Sequence, residues 1–491
     1  MKKVLLLTLS LVALGLQAQQ WEIMCQMSGE ARLLGGCNTD EGNYIFGYCD
    51  ETMHDQATIA YALYVDNEGE SNDMLFNLEG RHSVLCRGIG LENGNAFVVG
   101  LKGSVENYTV YDTLWIAIMT PELEIVEEHN YPVEEPYRTW TYYVYMDYNN
   151  CGEIMVLAHV SERTNEWMNS AGIDVVLKCD TNGNVLQRQY YTEGHTGGGA
   201  RPTDIVKVPN SDNMMFLGRG FNHNGTHSIC FIDNDLNILS VHEIPWMESG
   251  WNHVKYWKDD GHFLMSSITH LYGEGTYYAA VFEVDINGHY IDTLVYDHAD
   301  FDDYTAEFGS MAYVNDETIY ISTYHEAGTE EVQAEANILL IDSELNLLGV
   351  KTLEYENMKI RIYDTRITAD GGCLVYGYCK KVNGPELVAV WKLMPDDFIL
   401  PWAVEETLEV SQHHFVFPNP TSDKLNIKLD TDNQRVKVFI RDLYGRKYFE
   451  RNFENMRGWL TIDVSSLEAG TYLYEARTKD RQIQKGKFIK Q

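Results

Sequence analysis

Short apolar runs alternate along this chain with turns rich in Asp, Asn and Gly. The pattern is clearest between residues 364 and 398, where residues 366–369, 373–378 and 387–393 read as strands and Asp370-Gly371-Gly372 reads as a tight turn. Strands of this length bounded by such turns are typical of antiparallel sheets. The body of the chain has no long stretch of 3.6-residue apolar periodicity. The pattern therefore predicts an all-β protein.

The same unit recurs seven times. The turns that end its third strand begin 52 to 60 residues apart, at Asp66, Thr120, Asp180, Asp233, Asp285, Asp342 and Pro395. A near-continuous apolar strand precedes each of them, and an earlier series of turns separates the first two strands. Each unit thus contains four antiparallel strands, which we name a to d. This repeat predicts a seven-bladed β-propeller with four-stranded antiparallel blades; six and eight blades are the alternatives.

A ring of blades must be closed, and the two ends of the repeat indicate how. The seventh unit lacks a convincing strand d after Asp397, whereas residues 21–28 form a strand that precedes the first unit. We expect residues 21–28 to complete the last blade, as a clasp between the two ends of the repeat.

Loop lengths distinguish the two faces of the predicted ring. The a–b and c–d turns are short and define the turn face, whereas the b–c and d–a connections vary in length and define the loop face. Binding sites usually lie on variable loops carried by a rigid scaffold. Aromatic residues in or beside these loops are the candidate ligand-binding residues, although some of them are expected to fold back over the ring: Tyr108, Tyr111, Trp167, Trp246, Trp251, Tyr272, Tyr277, Phe301 and Tyr304.

The first residues predict export. Lys2-Lys3 precede an apolar run over residues 4–16, and Gln17-Ala18-Gln19 follows it, as in a secretory signal peptide cleaved between Ala18 and Gln19. This run is too short for a permanent membrane anchor, and no other run is long enough to predict a transmembrane segment.

Charge divides the chain. The formal net charge is −36, yet residues 413–491 contain 15 Lys and Arg against 10 Asp and Glu, so the acidic excess lies in the body. An acidic body argues against binding to nucleic acid or to an anionic membrane.

After Trp402 the repeat stops, and residues 403–412 read as a polar linker. The remaining residues, 413–491, alternate as short strands separated by turns at Tyr444-Gly445 and Ala469-Gly470. This pattern predicts a small C-terminal Ig-like β-sandwich.

The tail also carries a series of motifs in a fixed order. They include Pro418, Asn419 and Pro420, then Gly445 and Gly470, and near the terminus Lys485 and Gly486. With these motifs the tail resembles the C-terminal sorting domain of the type IX secretion system of Bacteroidota. The resemblance implies that the type IX secretion machinery is a partner and that the protein passes through the periplasm to the outer-membrane cell surface or the extracellular space. An appended carbohydrate-binding sandwich is the alternative.

Few residues suggest chemistry. The turns at Asp180 and Asp285 resemble the start of a calcium loop but lack its later ligands, so hairpin formation explains them better. An acidic loop containing Asp300, Asp302 and Asp303 is the one candidate metal site, for calcium; no other cofactor is expected. No GxSxG, HExxH or catalytic-cysteine signature is present, and nine cysteines without CxxC spacing predict neither a zinc site nor a disulfide scaffold.

The expected organisation is a signal peptide (1–18), a propeller (19–402), a linker (403–412) and a sorting domain (413–491). The favoured function is a secreted or cell-surface, non-catalytic binding or adhesion propeller for an unknown extracellular glycan or protein. A propeller-fold hydrolase acting on glycans or peptides is the alternative, and a purely structural surface protein is a third possibility. The sequence leaves the identity of the ligand open.

Overall fold

The structure, a computed structural model, is all-β where it describes the chain, apart from one 3₁₀ turn at Pro395–Asp397. The described residues are 21–26, 30–50, 58–78, 81–104, 111–134, 137–138, 143–162, 172–191, 201–219, 227–244, 253–258, 261–270, 277–296, 302–325, 335–355, 357–381, 384, 386–398, 416–417, 421, 423–442, 447–467, 470–477 and 482–490. The chain divides into two compact units, one of residues 1–292 and 297–409 and one of residues 293–296 and 410–491.

The body consists of antiparallel sheets of four or five strands, numbered here in chain order. The first contains β2 (Glu30–Asn38), β3 (Gly42–Asp50), β4 (Thr58–Asp66) and β5 (Ser71–Phe76), and the second contains β6 (Arg81–Gly90), β7 (Ala96–Ser104), β8 (Thr113–Met119) and β9 (Ile125–Pro132). The third contains β10 (Tyr137–Arg138), β11 (Val144–Tyr148), β12 (Ile154–Glu162), β13 (Gly172–Cys179) and β14 (Val185–Tyr191).

Four further sheets follow the same order. The fourth contains β15 (Arg201–Lys207), β16 (Met214–Arg219), β17 (His227–Ile232) and β18 (Ile238–Ile244), and the fifth contains β19 (His253–Trp257), β20 (His262–His270), β21 (Tyr277–Asp285) and β22 (Tyr290–Tyr296). The sixth contains β23 (Asp303–Thr305), β24 (Met311–Asn315), β25 (Thr318–His325), β26 (Ala336–Ile341) and β27 (Leu347–Leu353), and the seventh contains β28 (Met358–Ile367), β29 (Cys373–Lys381), β30 (Glu386–Leu393) and β1 (Trp21–Gln26).

These sheets form a closed ring. An inner strand of each sheet contacts the inner strand of the next, in the order β2, β6, β11, β15, β19, β24, β28 and back to β2. Sheets arranged face to face around an axis in this way are a β-propeller. The propeller body predicted from the repeat is therefore confirmed.

The N-terminal strand closes the ring. β1 pairs antiparallel with β30, from Trp21 opposite Lys392 to Gln26 opposite Leu387, which confirms the predicted clasp. Side chains reinforce the pairing, because the Tyr355 hydroxyl donates to Oε2 of Glu22 at 2.5 Å and accepts from Nε1 of Trp391 at 2.7 Å.

Burial follows the position of each strand. Every residue of the third strands β8 and β26 is buried, since other sheets cover both of their faces. The fourth strands β14 and β18 instead consist of partly buried and exposed residues up to a buried last residue, as expected at the outer edge of a sheet with one solvated face. The sequence pattern of apolar runs therefore marks the middle of each sheet.

The recurrent Asp of the c–d turns has a hydrogen-bonding role. In the turn at Asp180, Oδ1 accepts from the backbone N–H groups of Asn182 and Asn184 at 3.0 and 2.9 Å. Asp285 binds the amides of Asn287 and His289 in the same way, at 2.8 and 2.9 Å. Each carboxylate is thus used to close its own hairpin, which is the role the sequence favoured over calcium binding.

The C-terminal unit has its own core. Its sheet contains β31 (Val416–Phe417), β32 (Lys424–Asp442), β33 (Lys447–Asp463), β34 (Gly470–Arg477) and β35 (Gln482–Lys490). Four of the expected short strands are fused in pairs into the long strands β32 and β33, whose register shifts between Leu429 and Gln434. Both halves of β32 contribute to one apolar core, through Leu425 and Ile440 among others. The Ig-like sandwich itself stays a prediction.

Candidate functional site

Register shifts in the inner strands direct charged side chains into the central channel. The pairing of β6 with β7 shifts between Leu85 and Arg87, and that of β28 with β29 shifts between Ile362 and Asp364. A comparable shift precedes Asp204 in β15. An extra residue in one strand re-aims the side chain that follows it. Arg87, Asp204 and Asp364 therefore occupy equivalent positions around the ring.

Arg87 and Asp364 form a buried ion pair across the channel. Nη1 of Arg87 lies 2.6 Å from Oδ2 of Asp364, and their side chains are 4% and 0% exposed. The remaining guanidinium nitrogens donate to backbone carbonyls, Nε to Val144 at 3.3 Å and Nη2 to Phe308. One side chain of the second sheet is thereby bound to the third, sixth and seventh sheets.

Two further groups bind the same carboxylate oxygen. Arg366 donates from Nε and Nη2 to Oδ2 of Asp364 at 2.9 and 2.8 Å, and the Tyr376 hydroxyl donates at 2.7 Å. Burial alone would raise the pKa of Asp364, but the guanidinium groups of Arg366 and Arg87 outweigh it and hold that pKa below its usual value. We call Arg87, Asp364, Arg366 and Tyr376 the channel cluster.

Two glycines make room for this cluster. A Cβ on Gly309 would lie 1.8 Å from Oδ1 of Asp364, and a Cβ on Gly35 would lie 2.6 Å from Cδ of Arg87. Both distances are shorter than any van der Waals contact, so no other residue fits without displacing the ion pair.

A cavity of about 540 Å³ lies against the channel cluster, which we call the turn-face cavity. Its lining comes mainly from the last residues of the inner strands, where they enter the a–b turns: Asn38, Gly90, Tyr148, Lys207 and Ile367 are examples. Arg366 lines this cavity and also a much smaller space beneath it, which Arg87, Tyr145 and Asp204 share. The cavity therefore opens toward the turn face and ends at the channel cluster.

Aromatic rings line up toward the opposite end of the sheets. The ring of Tyr277 lies 5.5 Å from that of Tyr304, which lies 5.7 Å from that of Tyr324, and the guanidinium carbon of Arg361 lies 5.6 Å from the Tyr324 ring. Tyr277 and Tyr304 are partly exposed, whereas Tyr324 is buried. We call these three tyrosines the aromatic row. They stand where β21 begins, β23 begins and β25 ends, beside the loop face.

Of the aromatic candidates named from the sequence, the structure describes three. It brings Tyr277 and Tyr304 together, and it buries Tyr111, whose hydroxyl lies 3.1 Å from Oγ1 of Thr58 and whose ring stacks on His82. Tyr111 therefore packs between the first and second sheets. The others, Tyr108, Trp167, Trp246, Trp251, Tyr272 and Phe301, lie outside the described residues.

The candidate calcium residues have protein partners. Oδ1 of Asp302 accepts from the backbone N–H of Tyr277 at 2.8 Å, and Asp303 pairs with Nδ1 of His325 at 2.6 Å with both side chains buried. The other ring nitrogen of His325 lies 3.0 Å from the Asn337 amide. Asp300 lies outside the described residues, and within them no group of three or more His, Cys, Asp or Glu could hold a metal ion.

Other predicted positions are only partly covered. Ala18 and Gln19 lie outside the described residues, as do Pro418, Asn419, Pro420 and Gly445. Gly470 opens β34, and Lys485 and Gly486 lie in β35, which pairs with β34. In the part of the chain that the structure describes, no helix is long and apolar enough to cross a membrane.

Sequence reasoning missed the channel cluster and the turn-face cavity. The available signal was a charged residue inside an apolar strand, as in Val84-Leu85-Cys86-Arg87-Gly88, because a buried charge requires a partner. Nothing in the sequence identified that partner, which is why the cluster was not predicted.

The comparisons with known proteins identify the tail. Residues 415–491 match the family described as the secretion system C-terminal sorting domain. The resemblance seen in the sequence is thereby confirmed, and it implies export out of the cell. The search of curated proteins found no match.

Solved structures similar to this chain have low sequence identity to it. The β-propeller domain of the Trilobed protease from Pyrococcus furiosus matches with 10% identity and a TM-score of 0.41, over 75% of this chain and 97% of that one. Pyrococcus horikoshii acylaminoacyl peptidase matches with 11% identity and a TM-score of 0.41, over 82% of this chain but only 58% of the peptidase. Trypanosoma rangeli sialidase matches with 9% identity and a TM-score of 0.40, over 95% and 84%. The strand order and the ring contacts define the propeller, and residues 415–491 match the sorting-domain family.

Proposed function

We propose that this chain is exported by type IX secretion to the cell surface, where its propeller is a non-catalytic binding or adhesion module for a glycan or protein. The observation that carries the proposal is the aromatic row, Tyr277, Tyr304 and Tyr324, held beside the loop face of a closed ring. The match to the sorting-domain family supports the proposed location, since it implies export out of the cell.

The aromatic row suits recognition of a flat ligand face. A tyrosine offers an apolar ring with a polar end at little conformational cost, so tyrosines are frequent at binding surfaces. Tyr277 and Tyr304 remain partly exposed, and the ring of the buried Tyr324 stacks on that of Tyr304. Arg361, paired with Glu307 at 3.1 Å, provides a fixed charged group next to the row.

The proposal includes the finer architecture. We infer that each of the sheets numbered above is one blade, giving seven, and that the long strands β32 and β33 fold the C-terminal unit into two layers as an Ig-like sandwich. The order of contacts among the inner strands supports the first inference, and the single core fed by both halves of β32 supports the second.

Binding is tested with the mature chain, residues 19–491, on a glycan array and against surface proteins. Replacing Tyr277 or Tyr304 with Ala should weaken binding to the captured ligand about tenfold or more, as for an aromatic residue central to an interface. Tyr290→Ala is the matched control, because Tyr290 is a 47% exposed tyrosine on the outer strand β22, away from the row.

A hydrolase screen on the same preparation separates the two functional classes. Turnover of a bound glycan or peptide would contradict the non-catalytic proposal. Binding that is unaffected by both Tyr277→Ala and Tyr304→Ala would show that the aromatic row is not the binding surface.

A further inference from the structure

We propose that the turn-face cavity is a second binding site, for a small organic molecule that carries one carboxylate group. The site lies at the end of the channel opposite the aromatic row, and it does not depend on the function proposed above. Its volume of about 540 Å³ lies within the range of small-molecule sites, roughly 300–1,000 Å³.

In the channel cluster, at the base of the cavity, more hydrogen-bond donors converge on one carboxylate oxygen than it can accept with good geometry. Oδ2 of Asp364 accepts from Arg87, twice from Arg366 and from Tyr376. A carboxylate oxygen has about two lone-pair sites, so four donors exceed its capacity. A ligand carboxylate beside these donors would therefore add acceptor oxygens where donors outnumber them.

Arg366 presents the edge that would bind this anion. Its bonds to Asp364 use Nε and Nη2, so the edge that carries Nη1 is not used by that carboxylate. The side chain is 22% exposed although Asp364 is fully buried, and Arg366 lines the cavity. Two bonds to Asp364 fix the guanidinium plane, which prepares its other edge for a planar carboxylate.

The cavity wall adds two further donors. Lys207 and Asn38 both line it, and within the described residues neither side chain makes a hydrogen bond or an ion pair. Apolar groups, including Met146, Met311 and Ile367, line the rest. Such a lining suits a molecule with one charged end and a less polar body.

One negative charge fits better than two. Asp147 also lines the cavity, where its Oδ2 accepts from the backbone N–H of Lys207 at 3.0 Å, and Asp364 lies just behind Arg366. These carboxylates would repel a dianion such as inorganic phosphate more strongly than a monocarboxylate. The Cys37 thiol on the wall takes no part in the charge balance, because burial raises its pKa to about 12.

The test measures the binding of D-glucuronate and of D-glucose to the mature chain, by calorimetry or ligand-observed NMR. The two sugars differ in that glucuronate has a carboxylate where glucose has a hydroxymethyl group. We expect glucuronate to bind and glucose not to bind. Lys207→Met should weaken glucuronate binding about threefold, as for an exposed charge, and Arg366→Lys should weaken it about tenfold or more because the planar edge is lost. Tyr277→Ala should leave it unchanged, which separates this site from the aromatic row.

Equal binding of glucose and glucuronate, no binding of either, or tighter binding of inorganic phosphate or sulfate would overturn the proposal. Circular dichroism shows whether Arg366→Lys folds. If it does not, Lys207→Met decides the question, since Lys207 is exposed and lies outside the channel cluster: unchanged glucuronate affinity in that variant would also overturn the proposal.

Discussion

Nη1 of Arg87 lies 2.6 Å from Oδ2 of Asp364, although the two residues are 277 positions apart in the chain. The contact joins the second sheet to the seventh, and it can form only when the ring is closed. The same arginine also binds a carbonyl of the third sheet and one of the sixth. One polar cluster therefore links the sheets at the centre of the propeller. Substitutions in this cluster should change the free energy of unfolding of the closed ring.

Removing the Arg87 side chain should destabilise the fold. Arg87→Met leaves Asp364 with fewer partners and deprives two buried carbonyls of their donor, so we expect a loss of about 3–5 kcal/mol in the free energy of unfolding, measured with urea. Arg81→Met is the matched control. It breaks an ion pair with Asp112 in which the side chains are 39% and 34% exposed, and it should cost less than about 1 kcal/mol. Equal losses in the two variants would contradict the account.

Two buried aspartates should respond to pH in opposite ways. Burial raises the pKa of Asp174, which His159 only partly offsets, whereas the arginines keep the pKa of Asp364 low. A raised folded pKa means that ionised Asp174 destabilises the fold at pH 7 and that this penalty fades as the pH falls through that pKa. Ionised Asp364 instead stabilises the fold above its unfolded pKa of about 3.9 and loses this effect as the pH falls through the lower folded value.

Unfolding experiments across pH check this contrast. Asp174→Asn should be at least as stable as the parent chain at pH 7, and its advantage should shrink toward pH 4. Asp364→Asn should be less stable at pH 7 by about 3–5 kcal/mol. A loss of similar size in both variants at pH 7 would show that Asp174 has a stabilising partner comparable to the arginines.

The clasp can be locked with one substitution. Cys25 stands directly opposite Val388 in the antiparallel pair of β1 and β30. Opposed Cα atoms in such pairs are about 4.5–5.5 Å apart, which suits a disulfide. Oxidised Val388→Cys should gain on the order of 3–5 kcal/mol, because the bond closes a very long loop. Val388→Ser and the reduced Cys variant are the controls. If the disulfide forms but the unfolding midpoint does not rise, β1 and β30 are already close together in the unfolded chain.

Calcium titration distinguishes two roles for Asp302 and Asp303, at the start of β23. If Asp303 serves to hold His325, Asp303→Asn lowers stability by the same amount with calcium and with a chelator. If Asp302 and Asp303 hold a cation, calcium stabilises the parent chain, and Asp302→Asn abolishes that gain. The observed pairs lead us to expect the first result.

The repeat and the clasp could be predicted because both depend on local rules. Five of the seven c–d turns begin with an Asp that closes its own hairpin, as Asp180 does. Strand β1 was the one strand without a place in a unit. Periodicity and turn chemistry suffice to recognise such features.

The channel cluster could not be predicted in the same way. Arg87 and Asp364 come from distant repeats, and each reaches the channel through a register shift that the sequence does not mark. The aromatic candidates illustrate the same point: the rings of Tyr277 and Tyr304 lie 5.5 Å apart, whereas Tyr111, which looks equivalent in sequence, is buried against Thr58. Composition indicates aromatic residues near a face but not which of them point outward.

The central claim, export of a closed propeller by its C-terminal domain, is tested by locating the chain in the cell. In a host with type IX secretion, the full chain should be found at the surface or in the medium, and a chain ending at Gln412 should remain in the periplasm as a folded propeller. Far-UV circular dichroism and protease resistance of the retained chain check its fold. Export of the truncated chain at the level of the full chain would contradict the account, because residues 415–491 would then not be the address.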